Sequence, residues 1–86
     1  MTTTDTREFL LEPEDIERLA NLAGPFDAHL RQIELRLGVE IANRGNIFKI
    51  VGPAAEVKAA EKLLRVLYAE AGDETFDSES IHLRLN

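Results

Sequence analysis

An α+β fold, in which a three-stranded antiparallel sheet is covered by helices, is what this sequence predicts, and three observations predict it. Hydrophobic periodicity changes along the chain in the order strand, helix, helix, strand, strand, helix. Two β-patterned runs, 39–42 and 47–51, flank the turn-forming segment Asn43-Arg44-Gly45-Asn46, which makes them a hairpin. The chain has 86 residues, 44% of them hydrophobic and none of them cysteine, so a single modest core must hold the fold without disulfides. Packing the helices on one face of the sheet is the two-layer solution that buries both apolar surfaces.

Residues 1–6 are polar and Thr-rich and are expected to form a disordered tail. Residues 7–11 read as the first strand. Glu12-Pro13-Glu14-Asp15 marks a helix start, with Pro13 at the first helical position and acids in the first turn. Ile16, Leu19, Ala20, Leu22 and Ala23 supply that helix with its apolar stripe, and Gly24-Pro25 ends it. A second helix runs from Phe26 or Asp27 to Leu37, because Phe26, Leu30, Ile33 and Leu37 fall at i, i+4, i+7 and i+11. Asp27 is placed to cap it and Gly38 to stop it. After the hairpin, Gly52-Pro53 opens a third helix to about Ala71, with Val57, Ala60, Leu64, Leu67 and Ala71 on one face and Leu63 and Val66 widening it. The folded domain spans 7–71, and 72–86 is an acidic linker followed by the start of a further helix. Pro13-Glu14-Asp15-Ile16 and Ser78-Glu79-Ser80-Ile81 are two similar helix starts, not a repeat.

The net charge of −6 is unevenly spread. Residues 1–27 hold seven acids and two bases, 28–68 four acids and seven bases, and 69–86 five acids and one base. A mildly basic middle fits a weak nucleic-acid contact, not a strong basic stripe. The N-terminus has no apolar leader and no run approaches a membrane span, which together with the lack of cysteine favours the cytoplasm. No phosphate loop is present: Gly52-Pro53-Ala54-Ala55-Glu56-Val57-Lys58-Ala59 lacks both the second glycine and the hydroxyl after lysine. His29 and His82 lie 53 positions apart, so no zinc spacing exists, and each reads as a surface or helix-cap residue. Glu14, Asp15 and Glu17 read as helix N-terminal acids, and Ser78 or Ser80 would be a poorly supported nucleophile. No catalytic or metal-binding residue is assigned.

Two runs carry a resemblance to a known family: Leu19-Ala20-Asn21-Leu22-Ala23-Gly24-Pro25-Phe26-Asp27 and Leu37-Gly38-Val39-Glu40-Ile41. From about Phe9 onward the chain resembles the N-terminal, KH-like domain of bacterial PhoH-like proteins, in which a small domain precedes a P-loop ATPase. The KH fold with its first strand at the N-terminus has the element order read above. The resemblance implies that the ATPase domain is missing from this chain and that 72–86 leads toward it. It implies a whole protein that uses ATP and magnesium in RNA metabolism, forms homo-oligomeric rings and partners an endoribonuclease. No cofactor is expected in the present domain.

A KH domain grips single-stranded nucleic acid at a GXXG loop between two helices, where glycines let the backbone approach phosphates. Gly24-Pro25-Phe26-Asp27 occupies that junction with only the first glycine. Pro25 lacks an amide, Phe26 either stacks a base or seals the core, and Asp27 adds a negative charge. The RNA-binding set is Gly24, Pro25, Phe26, Arg31, Arg44 and Lys49, and the expected core includes Phe26, Leu30, Ile33, Leu64 and Leu67. Two readings stand. A basic groove beside Gly24-Pro25 would favour weak binding of single-stranded RNA; an apolar patch of Leu10, Ile47 and Val51 on the sheet would favour a protein-interaction or oligomerisation module docking on the ATPase domain or a neighbouring subunit.

Overall fold

The computed structural model describes residues 4–85. Its strands are β1 (Thr4–Leu10), β2 (Glu40–Arg44) and β3 (Ile47–Pro53), and its helices α1 (Ile16–Ala23), α2 (Ala28–Leu37), α3 (Ala54–Ala71) and α4 (Ser78–Leu85). A short 3-10 turn, Pro25–Asp27, joins α1 to α2. The sheet is antiparallel throughout, in the order β1-β3-β2. This is the α+β, KH-like two-layer fold expected from the sequence.

Alternation along the strands sorts the sheet into two faces. Phe9 and Phe48 are register partners on the helix side, with ring centroids 6.1 Å apart, and Ile50 stands two residues along on the same face. All three are buried with Leu22, Leu30, Ile33, Leu64 and Leu67. Among the described residues no helix covers the other face, where Glu8 pairs with Lys49 and Leu10 with Ile47. The hairpin turns in two residues, Gly45 and Asn46, not four. Gly45 sits at φ 58°, the sign that strand twist demands at a tight hairpin turn and that glycine adopts at least cost.

Several boundaries differ from the sequence reading for identifiable reasons. Thr4, Asp5 and Thr6, assigned to a disordered tail, extend β1 and pair with Pro53, Gly52 and Val51; the rest of that tail, residues 1–3, lies outside the described residues, as does residue 86. The first helix begins at Ile16, not Pro13, because Asp15 is its cap and accepts from the Arg18 amide at 3.1 Å. The Tyr68 hydroxyl on α3 holds this entry by donating to the Pro13 carbonyl and accepting from the Asp15 amide. Ile16, placed in the apolar stripe, is exposed at this first position. Val66 is exposed too, since two residues from Leu64 it lies roughly 200° around the helix. Tyr68 takes its place in the core.

The largest correction is Phe26. It was expected in the core and is 97% exposed. Phe26 and Asp27 have φ of 55° and 59°, left-handed values that delay α2 until Ala28 and swing the ring off the face its spacing implied. Asp27 consequently makes no capping hydrogen bond to α2.

The stretch read as a linker is tied into the same unit. The Asn21 side chain donates to the Ala71 and Glu74 carbonyls, at 3.1 and 2.6 Å, and accepts from the Phe76 amide at 2.8 Å. Phe76 and Ile81 are buried, and α4 packs along α2. Arg84 lies over the Phe76 ring and pairs with Glu70 and Glu74.

Candidate nucleic-acid interface

The corner between α1 and α2 is built by close approach. Gly24 closes α1 by donating its amide to Ala20, and its φ of 77° with no side chain lets His29 pack directly on it. A Cβ there would stand 2.6 Å from the imidazole Cγ, so only glycine fits. His29 is buried, with Nδ1 3.1 Å from the Asn21 carbonyl and 3.2 Å from that of Leu22, the last turn of α1. It is thus a helix-cap residue, as one sequence reading had it, but of the preceding helix and away from the surface.

Beyond the corner, a 290 Å³ groove runs between α2 and the edge strand β2, lined by Asp27, Leu30, Arg31, Glu34, Ile41, Ala42 and Asn43. Glu34 ties its walls together by accepting the Ile41 amide at 2.7 Å, which occupies a free donor of the sheet edge. Two carboxylates and one guanidinium line it, so the groove is not basic.

The six expected RNA residues do not share one groove. Gly24, Pro25, Phe26 and Arg31 gather at the start of α2, where Arg31 is exposed on the outer side of the helix. Arg44 and Lys49 lie on the bare face of the sheet, beside Glu8 and Ile47 in a shallow depression. Ala42 and Asn43 are the residues both depressions share. The strand alternation that buries Phe48 and Ile50 turns Lys49 away from the helices and hence from the corner. Arg31, Arg44 and Lys49 are all exposed and make no ion pair among the described residues, whereas Arg7 and Arg65 are both held by Glu61. The bare face also carries Leu10 and Ile47 side by side, 47% and 42% exposed, with Val51 half-buried.

Asn21, His29 and Glu34 organise this region; sequence reasoning missed Asn21 and Glu34 and read His29 only as a surface or helix-cap residue. Asn21 carried a signal, since asparagine inside an apolar helical stripe usually has a backbone group to satisfy. Glu34 carried none, and neither did the partners of His29, because both are set by tertiary packing.

No protein-family model matches the chain, and no solved structure matches it. Two runs, Leu19 to Asp27 and Leu37 to Ile41, bracket the candidate region. They form α1 with its corner and the turn from α2 into β2, the two ends of the helix that walls the groove. Among the described residues no helix is long and apolar enough to cross a membrane, and no three His, Asp or Glu side chains gather as a metal site.

Proposed function

We propose that this chain is the noncatalytic N-terminal accessory domain of a PhoH-like ATPase acting in RNA metabolism, and that it contacts single-stranded RNA weakly at the Gly24–Asp27 corner. The observation that carries the RNA part is Phe26, an aromatic ring almost wholly exposed on backbone held at positive φ. Such a conformation costs on the order of 1–3 kcal/mol for a residue other than glycine, and here the ring gains no burial in return. An exposed ring beside Arg31 offers a base a stacking surface and a phosphate a counter-charge. Asp27 and Glu34 keep the contact weak. ATP and magnesium belong to the absent ATPase domain in this reading, the setting is cytoplasmic, and ring assembly and an endoribonuclease partner are what the family likeness supports.

Fluorescence anisotropy with a labelled single-stranded RNA tests it. Expected affinity at physiological salt lies in the range of about 10⁻⁴–10⁻⁶ M and depends steeply on salt. Phe26→Ala and Arg31→Glu each abolish binding while thermal unfolding stays unchanged. Wild-type affinity in Phe26→Ala would remove the corner as the site.

A second reading has its own observation. Leu10 and Ile47 form an exposed cross-strand pair on the bare sheet face, suited to docking on the ATPase domain or a neighbouring subunit. Two flanked residues are a small patch, which places this reading second. Loss of binding in Arg44→Glu and Lys49→Glu with Phe26→Ala unaffected would instead move the contact to this face.

A further inference from the structure

Across Arg31 from the β2 groove, a 630 Å³ groove runs between α2 and the start of α4, with Pro25, Ala28, Leu35 and Phe76 among its apolar walls and His29 in its lining. The His29 residue is only 4% exposed. Its Nδ1 faces two carbonyl oxygens, those of Asn21 and Leu22, which can only accept, so Nδ1 carries the hydrogen. With the hydrogen on Nδ1, Nε2 is the ring's acceptor, and it has no hydrogen-bond partner among the described residues. Of the other polar side chains in this wall, Gln32 and Asp77 each have one group engaged, and Arg31 makes no ion pair among the described residues. Gln32 donates to the Ser78 carbonyl at 2.9 Å, and the Asp77 carboxylate accepts from the Ser80 amide at 2.8 Å. His29 thus offers this largely apolar groove a hydrogen-bond acceptor on an almost fully buried ring.

We propose that this groove takes one unstacked nucleobase bearing an exocyclic amine, whose N–H donates to His29 Nε2. A flat apolar ring fits the walls, and an aliphatic group would leave the acceptor unmatched. Arg31 and Pro25 belong both to this groove and to the corner where Phe26 projects, so a strand stacked on Phe26 has a neighbouring base within reach of the slot and its phosphates beside Arg31. The inference rests on the RNA reading of that corner.

The test compares a short oligoadenylate with the same oligomer carrying N6,N6-dimethyladenine, which has no exocyclic N–H, on the wild type and on His29→Asn. Asparagine keeps an amide N–H near the Nδ1 position for the α1 carbonyls and removes the acceptor at the Nε2 position, its own oxygen falling where Cδ2 stands. Dimethylation should weaken wild-type binding by about fivefold to tenfold, and should change His29→Asn binding by less than about twofold. In the wild type, the His29 Nε2 nitrogen resonance should shift with oligoadenylate and not with its dimethylated form. Equal wild-type affinity for the two oligomers, with binding still lost in Phe26→Ala, overturns the pocket and leaves the corner reading standing. Absence of binding by either oligomer overturns both. Should His29→Asn fail to fold, an Nε2 resonance unmoved by saturating oligoadenylate overturns the pocket by itself.

Discussion

Two helix starts in this domain are built in opposite ways. At α4, Asp77 and Ser80 cap each other reciprocally: the Ser80 amide donates to the Asp77 carboxylate and the Asp77 amide to the Ser80 hydroxyl, at 2.8 and 2.9 Å. At α2, Asp27 stands at positive φ, makes no cap bond, and follows a phenylalanine whose ring touches almost nothing. A side chain ordinarily caps a helix start, and forgoing one on strained backbone sacrifices stability; here the Asp27 and Ala28 amides donate instead to the Gly24 and Pro25 carbonyls. Side chains close the start of α4, whereas the start of α2 leaves the Phe26 ring to solvent.

The comparison can be broken first through the core behind α2. Ile33 and Leu64 are fully buried, so Ile33→Ala or Leu64→Ala should cost about 2–5 kcal/mol in chemical denaturation, whereas Phe26→Ala should change stability by less than about 0.5 kcal/mol. A comparable loss in Phe26→Ala would mean that the ring is packed in solution and the corner is structural.

A smaller effect sharpens the contrast between caps. Asp15→Gly removes the side chain that holds the Arg18 amide and should lower stability by a few tenths of a kcal/mol up to about 1 kcal/mol. Asp27→Gly removes no cap and relieves a left-handed residue, so it should raise stability by up to about 1 kcal/mol. Opposite signs in paired melting curves are the expected outcome, and two losses would contradict the uncapped start.

The smallest expected effect is the shape of the acid limb. Burial pushes the Glu61 carboxyl up, but the hydrogen bonds and charges of Arg65 and Arg7 outweigh it and hold the group below its ordinary value of 4.5. The Ser80 amide and hydroxyl hold Asp77 below its ordinary value of 3.8. Both are depressed in the folded state, so their contribution is fully present above those ordinary values and disappears as pH falls through the lower folded ones. Stability measured against pH should therefore decline on the acid side, and Glu61→Gln should flatten part of that decline without altering the Asp77 part.

Much of the architecture was legible because its causes are local. Leu30 and Ile33 on α2, and Leu64 and Leu67 on α3, are buried as the helical spacing required, and Gly38 ends α2 at φ 70°, donating to the Glu34 carbonyl. The candidate site was legible only in part. Its corner was found by Gly24-Pro25, but Arg44 and Lys49 were grouped with it although strand alternation puts them on the bare face.

The sequence by itself determined the order of elements, their apolar faces and the glycine stops, because periodicity and φ preference act over a few residues. Only the tertiary structure decided that Phe26 is outside, that residues 4–6 join the sheet, and that α4 lies on α2. The reason is physical. Phe26 spacing counts as helical only if its backbone is helical, and the packing of His29 on Gly24 fixes a different corner. The ties from Asn21 to Ala71, Glu74 and Phe76 span 50 residues or more, so no local pattern announces them.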